Sequence, residues 1–158
     1  MHHVSDAMAD MNAALHNPQR SPARSGYCHD QVGWIASFEP EAPGLIDLLD
    51  AYIIEDPSDS SLLDRRGWFF QQHDLNEKAY ADYQASAALG SGWAALMQGR
   101  YVFNGWGGQK LDREAGLTLF RRAAQLGDAE SPHCLADALQ MMGRTSEAEA
   151  TRRQYGVR

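Results

Sequence analysis

The sequence predicts an all-α protein, and the main reason is a motif that returns along the chain. Residues 83–90 (YQASAALG) come back 37 residues later as residues 120–127 (FRRAAQLG). The Ala-rich segments and the few clusters of Val and Ile also favour helices over strands. Self-similarity at a period of 20–50 residues is typical of a repeat array. We therefore expect a short right-handed α/α solenoid of about three helix-turn-helix repeats, with an N-terminal helical extension.

Small residues mark the predicted contacts between helices. Gly67, Gly99 and Ala136 recur at spacings of 32 and 37 residues, each in the first helix of a unit. Small side chains at such positions let a neighbouring helix approach closely, and Tyr83 and Phe120 would fill the space between paired helices. One helical hairpin cannot bury its own apolar face, so about three stacked units are needed for a stable core.

Pro57 separates two predicted regions, because proline ends a helix that precedes it. Residues 1–57 are expected to be a helical extension packed on the solenoid, with helices at 5–15 and 45–54 and a loop at 17–26. Residues 58–158 are expected to hold the repeats, as units 58–90, 91–128 and 129–158. The six helices predicted in these units run from 58–60 to about 72, then 76–88, 91–104, 112–126, 129–142 and 145–155.

The middle unit carries a more specific pattern. It contains Gly99-x-x-Val102-x-x-Gly105, Trp106-Gly107-Gly108, Asp112-x-x-Ala115-Gly116 and Arg122-Ala123-Ala124-x-Leu126-Gly127. This pattern resembles the SEL-one-like repeat, a relative of the tetratricopeptide repeat, and the likeness is looser over 60–90 and 129–155. Gly116 stands where the family usually has Ala, and Ala115 where it usually has Lys. The resemblance implies an α/α solenoid that binds other proteins along its concave face, and it supplies no catalytic residues.

The same resemblance predicts which residues line the concave face. With Gly67, Gly99 and Ala136 taken as equivalent, positions −6, −3, +1, +4 and +5 face the groove in this repeat class. The predicted partner-binding residues are Asp64, Trp68, Gln71, Gln72, Trp93, Leu96, Arg100, Phe103, Asn104, His133 and Asp137. Trp and Arg are common at the energetic centres of protein interfaces. The alternative is that Trp93 or Phe103 packs against the N-terminal segment.

Composition limits the classes of partner. The chain of 158 residues is 44% hydrophobic and 22% charged, as in soluble globular proteins, and its net charge of −7 argues against nucleic acid and anionic membranes. The charge is uneven: residues 1–75 hold 12 acidic and 4 basic residues, whereas residues 76–158 hold 9 and 10. This asymmetry favours a basic partner for the N-terminal half, although it is also explained by solubility alone.

The sequence predicts no enzyme, no cofactor and no metal. Cys28, His29 and Asp30 are metal-capable types, but consecutive residues seldom point at one ion. Cys28 with a distant histidine is a minimal pattern for a nucleophile and is not specific. The glycines at 105–108 are not preceded by a predicted strand and lack the Gly-Lys-Ser/Thr ending of a phosphate loop.

Cys28 and Cys134 form no CxxC motif, so neither a disulfide framework nor a zinc site is expected. The sequence has no apolar segment of the kind a signal peptide or a membrane span requires, which predicts a cytoplasmic protein with reduced thiols.

These observations predict a non-enzymatic module that binds another protein in its groove, anchored by Trp68, Trp93, Arg100 and Phe103. By analogy with small stand-alone proteins of the family, we expect a bacterial adaptor, or an immunity protein that neutralises a basic toxin or effector. The alternative is a structural homo-oligomer, a homodimer in the simplest case, joined through the apolar helix at 45–54 or through an end of the array.

Overall fold

The computed structural model describes residues 44–157, together with Asp6, Ala9 and Ala13. These three residues are helical and lie within the helix predicted at 5–15. The other predictions for residues 1–43, including the loop at 17–26 and the segment from Cys28 to Asp30, lie outside the described residues.

Residues 44–157 fold into seven α-helices and contain no strand, which confirms the all-α class for this part of the chain. In chain order the helices are α1 (Leu45–Glu55), α2 (Ser60–Gln72), α3 (Asn76–Ala88), α4 (Gly92–Asn104), α5 (Arg113–Gln125), α6 (Ser131–Met141) and α7 (Thr145–Tyr155). Each helix packs against the next one along the chain, and the contacts are most extensive within the pairs α2/α3, α4/α5 and α6/α7.

Two of these helix pairs share the same close contact between a glycine and an aromatic ring. A Cβ atom added to Gly67 would lie 2.7 Å from the ring of Tyr83, and one added to Gly99 would lie 2.7 Å from the ring of Phe120. Both rings are buried. The approach of α2 to α3 and of α4 to α5 therefore depends on these two glycines, as the spacing of small residues predicts.

Residues with left-handed backbone conformation follow the ends of α2, α3 and α5. Gly90 (φ 100°) and Gly127 (φ 88°) have left-handed backbone just after α3 and α5, where the Leu-Gly motif predicts helix ends. After α2, Asp74 takes this conformation with φ 57°, and the N–H of Leu75 donates to the carbonyl of Phe70 at 2.9 Å. Aspartate is one of the few residues other than glycine that tolerate this backbone region.

One side of helix α1 is apolar and is buried inside the protein. Leu45, Leu48, Leu49 and Tyr52 are buried, whereas Ile54 is 81% exposed. Helix α1 packs against α2, the first helix of the first pair. Burial of these four side chains reduces the apolar surface that self-association through this helix could use.

An ion-pair network that the sequence did not predict joins the first three helices. Arg66 in α2 donates from Nε and Nη2 to both carboxylate oxygens of Asp82 in α3, at 2.8 and 2.7 Å. Its Nη1 donates to Asp50 in α1 at 2.7 Å. Asp82 is only 5% exposed, so its charge is tolerated because the guanidinium pairs with it in a two-point contact. The hydrogen bond to Asp82 is also the main reason that the pKa of Arg66 is raised.

Candidate functional site

The residues predicted for the groove come from α2, α4 and α6, and side-chain bonds link these three helices directly. Asp64 in α2 accepts a hydrogen bond from the hydroxyl of Ser91, the N-cap of α4, at 2.8 Å. Arg100 in α4 forms an ion pair with Glu130, just before α6, and donates to Cys134 Sγ in α6 at 3.4 Å. The first helices of the three pairs are therefore neighbours.

Nine of the predicted residues are exposed or half-buried, and we call eight of them, all except Asp64, the α2/α4/α6 face. Four are exposed and four are half-buried. The members of the face are Trp68, Gln71, Gln72, Trp93, Arg100, Asn104, His133 and Asp137. Aromatic, amide, imidazole and guanidinium groups of this kind can make both apolar and hydrogen-bonded contacts with another protein.

Two predicted binding residues belong to the core instead. Leu96 is fully buried and Phe103 is 6% exposed, and the Phe103 ring lies 5.8 Å from the ring of Phe120. Helix α4 packs against both α3 and α5, and seven of its 13 residues are buried. Assignment of Leu96 and Phe103 to a partner-binding surface is therefore wrong, because α4 has only a narrow accessible strip.

Trp93 and Gln71 are both held by Tyr83. The Trp93 ring meets the Tyr83 ring edge-to-face, with 5.3 Å between centroids, so one side of the indole packs inside the protein. The Tyr83 hydroxyl donates to Oε1 of Gln71 at 2.9 Å. Burial raises the pKa of Tyr83, which keeps this hydroxyl protonated as a donor. Buried Tyr83 therefore holds two members of the face, Trp93 and Gln71, in place.

Asp64, although predicted to bind a partner, connects three helices. Its carboxylate accepts from Ser86 Oγ of α3 at 2.5 Å and from Ser91 Oγ at 2.8 Å. Ser91 Oγ in turn caps α4 by accepting from the N–H of Ala94 at 3.1 Å. Burial raises the pKa of Asp64 above its usual 3.8, and the hydrogen bonds from the two serines offset only part of this effect.

This raised pKa gives a testable pH dependence. Because the folded protein binds the Asp64 proton more tightly than the unfolded chain does, the contribution of Asp64 to stability is greatest below pH 3.8 and is lost as the pH rises through the folded-state pKa. We expect Asp64→Asn, which has no charge to desolvate, to become more stable relative to wild type between about pH 4 and 7. Urea unfolding at several pH values measures this difference; two parallel curves would contradict the assignment.

A cavity of about 380 Å³ adjoins the face where the loop after α4 meets the end of α2. Its wall contains one predicted groove residue and five residues that the groove positions did not include. The lining residues are Gln71, Asp74, Asn76, Tyr101, Trp106 and Gly107. We call this cavity the Trp106 pocket. The only sequence signal for it was the unusually Gly-rich loop that carries a tryptophan.

The loop that carries Trp106 is held tightly against the first turn of α3. A Cβ atom on Gly107 (φ 57°) would lie 2.7 Å from the carbonyl oxygen of Asn76, so only glycine allows this approach. The N–H of Trp106 donates to the Tyr101 carbonyl at 2.9 Å. The indole stands edge-on to the Tyr101 ring, with 6.0 Å between centroids, and Trp106 remains 51% exposed.

Residues 44–157 also bear on metal binding, membrane insertion and phosphate binding. No group of three or more His, Cys, Asp and Glu within the described residues is placed to hold a metal ion, and Cys134 is a free thiol there. No helix among the described residues is long and apolar enough to span a membrane. The glycine loop at 105–108 follows a helix rather than a strand, so it lacks the strand–loop–helix setting of a phosphate loop.

Comparison with known proteins identifies no family for this chain. No protein-family model matches the chain, and no curated protein matches it significantly. Residues 44–157 therefore define an all-helical class of protein with sequentially packed helices, and the α2/α4/α6 face and the Trp106 pocket are its candidate sites.

Proposed function

We propose that this chain is a non-enzymatic protein-binding module of the α/α solenoid type, related to SEL-one-like repeats, that holds its partner on the α2/α4/α6 face. The observation that carries the proposal is the chemistry of that face. Three adjoining helices carry the exposed Gln72 and His133 and the half-buried Trp68 and Trp93, while other residues of the same helices supply the core. Such a face offers anchoring aromatics on a rigid support, which lowers the entropy cost of binding.

The repeat interpretation is supported by equivalent contacts. Gly67 meets Tyr83 between α2 and α3 in the same way that Gly99 meets Phe120 between α4 and α5. In the third pair, Ala136 of α6 is buried at the equivalent position. A solenoid of three helix pairs, α2/α3, α4/α5 and α6/α7, would place the first helix of each pair along one groove.

The charge of the molecule favours a basic partner. Residues 1–75 carry a net charge of −8, from 12 acidic and 4 basic residues. Opposite charge speeds association and selects against acidic partners. A toxin-neutralising immunity protein or an adaptor in the cytoplasm would use such a surface in this way.

Affinity capture with matched variants tests the proposal. The tagged protein would be purified from its source cells as wild type, as the face variant Gln72→Ala/His133→Ala, and as the control Gln84→Ala/Gln125→Ala. All four positions are exposed, but Gln84 and Gln125 lie on α3 and α5, outside the face. We expect one partner at roughly equal yield with wild type and control, and about tenfold less with the face variant, since two interface contacts together contribute about 1.4 kcal/mol or more. Equal yields from both variants would contradict the proposal.

Self-association through α1 is the weaker alternative. Four apolar side chains of this helix are buried, Ile46, Ala51 and Ile53 are half-buried, and Ile54 is its one strongly exposed apolar residue. Light scattering of the purified chain decides between the two functions: a monomer agrees with a groove open to a partner, whereas a tight dimer disrupted by Ile54→Asp would favour the homo-oligomer.

A further inference from the structure

We infer that the Trp106 pocket takes a basic side chain, arginine or lysine, from the polypeptide bound on the α2/α4/α6 face. This inference rests on the proposed function and specifies part of the partner. It depends on three features of the pocket: a fixed aromatic wall, a lining carboxylate that forms no ion pair among the described residues, and amide groups whose oxygens are already occupied.

The aromatic wall is the indole of Trp106. It is 51% exposed, yet the loop that carries it is fixed by the backbone bond to Tyr101 and by the close approach of Gly107 to Asn76. An exposed tryptophan on a rigid loop offers a flat surface to the stem of a long basic side chain, and its ring attracts a cation.

The negative charge at the pocket comes from Asp74, which lines it. Glu77 is a second carboxylate on the same loop's contact surface, because a Cβ atom on Gly108 would be 3.3 Å from Glu77 Oε1. Within the described residues neither carboxylate forms an ion pair. Of the nearby cations, Lys78 lies over the Phe70 ring at 5.4 Å, and Lys110 is not among the lining residues. A cation from another chain would supply the missing partner charge.

The amides favour a polypeptide over a small cation. The hydroxyls of Tyr83 and Tyr101 donate to the side-chain oxygens of Gln71 and Asn76, each at 2.9 Å. The amide NH₂ groups are left as donors, and among the described residues only Asn76 uses one of them, in a long bond of 3.4 Å to the Asp74 carbonyl. Carbonyl groups of a peptide backbone are the natural acceptors for such donors. The volume of about 380 Å³ lies in the range of sites that hold ligands larger than one functional group.

Peptide titration tests this inference. The probe is acetyl-Gly-Gly-Arg-Gly-Gly-amide, and the readout is the indole N–H resonance of Trp106 in ¹H–¹⁵N spectra, assigned with Trp106→Phe. The matched control replaces arginine by citrulline, which has nearly the same shape without the charge. We expect the arginine peptide to shift the Trp106 resonance and to bind about fivefold more tightly than the citrulline peptide at low salt.

Asp74→Asn is the informative variant, because asparagine tolerates the positive φ of this position as well as aspartate does. It should weaken binding of the arginine peptide about fivefold and leave the citrulline peptide unchanged. Equal binding of the two peptides, or an effect of arginine only at other tryptophans, would overturn the inference. Equally tight binding of acetyl-arginine-amide would overturn the assignment to a polypeptide. Neither result would alter the capture experiment on Gln72 and His133, so failure of the pocket and failure of the face are distinguishable.

Discussion

Arg66→Met is expected to lower the free energy of unfolding by about 3 kcal/mol, the largest loss among the substitutions considered. The change removes the two bonds to Asp82 and leaves that carboxylate, 5% exposed, without a counter-charge. It also removes the bond from Arg66 to Asp50 that links α2 to α1. Chemical denaturation at neutral pH measures the loss.

Two further variants test whether the loss of stability in Arg66→Met comes from the buried pair with Asp82. Arg153→Met removes an exposed ion pair with Glu149, at 3.8 Å, and should cost less than about 0.5 kcal/mol. Arg66→Met/Asp82→Leu should recover most of the loss, because an apolar pair can replace a buried ion pair with little change in stability. If Arg66→Met were as harmless as Arg153→Met, the network would not hold the three helices together.

Gly116→Ala should destabilise the protein by about 1–2 kcal/mol, although alanine normally favours a helix over glycine by about 1 kcal/mol. The new methyl group would lie 2.7 Å from Cβ of Phe103 and 3.0 Å from its Cα, so the backbone of α4 would have to move. Thermal unfolding of the variant measures this loss. The same geometry explains why glycine stands at this position, where the repeat family that the sequence resembles usually has alanine.

Two comparisons separate packing from helix propensity. Gly99→Ala places its methyl group 2.7 Å from the Phe120 ring, a side chain rather than backbone, so the loss should be smaller than for Gly116→Ala. Ala81→Gly, at an exposed position within α3, should cost about 1 kcal/mol through propensity alone. A gain in stability for Gly116→Ala would show that α4 and α5 are not packed as described.

The helices were predictable because their signals are local. The helices predicted at 76–88 and 145–155 coincide with α3 and α7, and the bounds of the other helices of the predicted units are correct to within one or two residues. The recurring Gly67 and Gly99 also predicted the close helix pairs. These features depend on spacing within one segment, which a single sequence records directly.

The site was predicted less well because it depends on contacts between distant segments. Leu96 follows the groove spacing, but α4 is covered by both α3 and α5, and spacing alone does not show this. The pairing of Arg66 with Asp82 and the bond from Tyr101 to Asn76 also join different helices. No rule of spacing distinguishes Arg66 from Arg65, so only the fold identifies the residue that carries the network.

The most direct test of a partner-binding α2/α4/α6 face is site-specific photo-crosslinking in the source cells. The photoreactive residue benzoylphenylalanine would replace Gln72 on the face in one strain and Gln84 on α3 in another; both glutamines are exposed. The account predicts one strong crosslinked product from position 72 and little or none from position 84. Crosslinking to the same partner from position 84 but not from position 72 would show that the partner binds elsewhere on the molecule and would contradict the account.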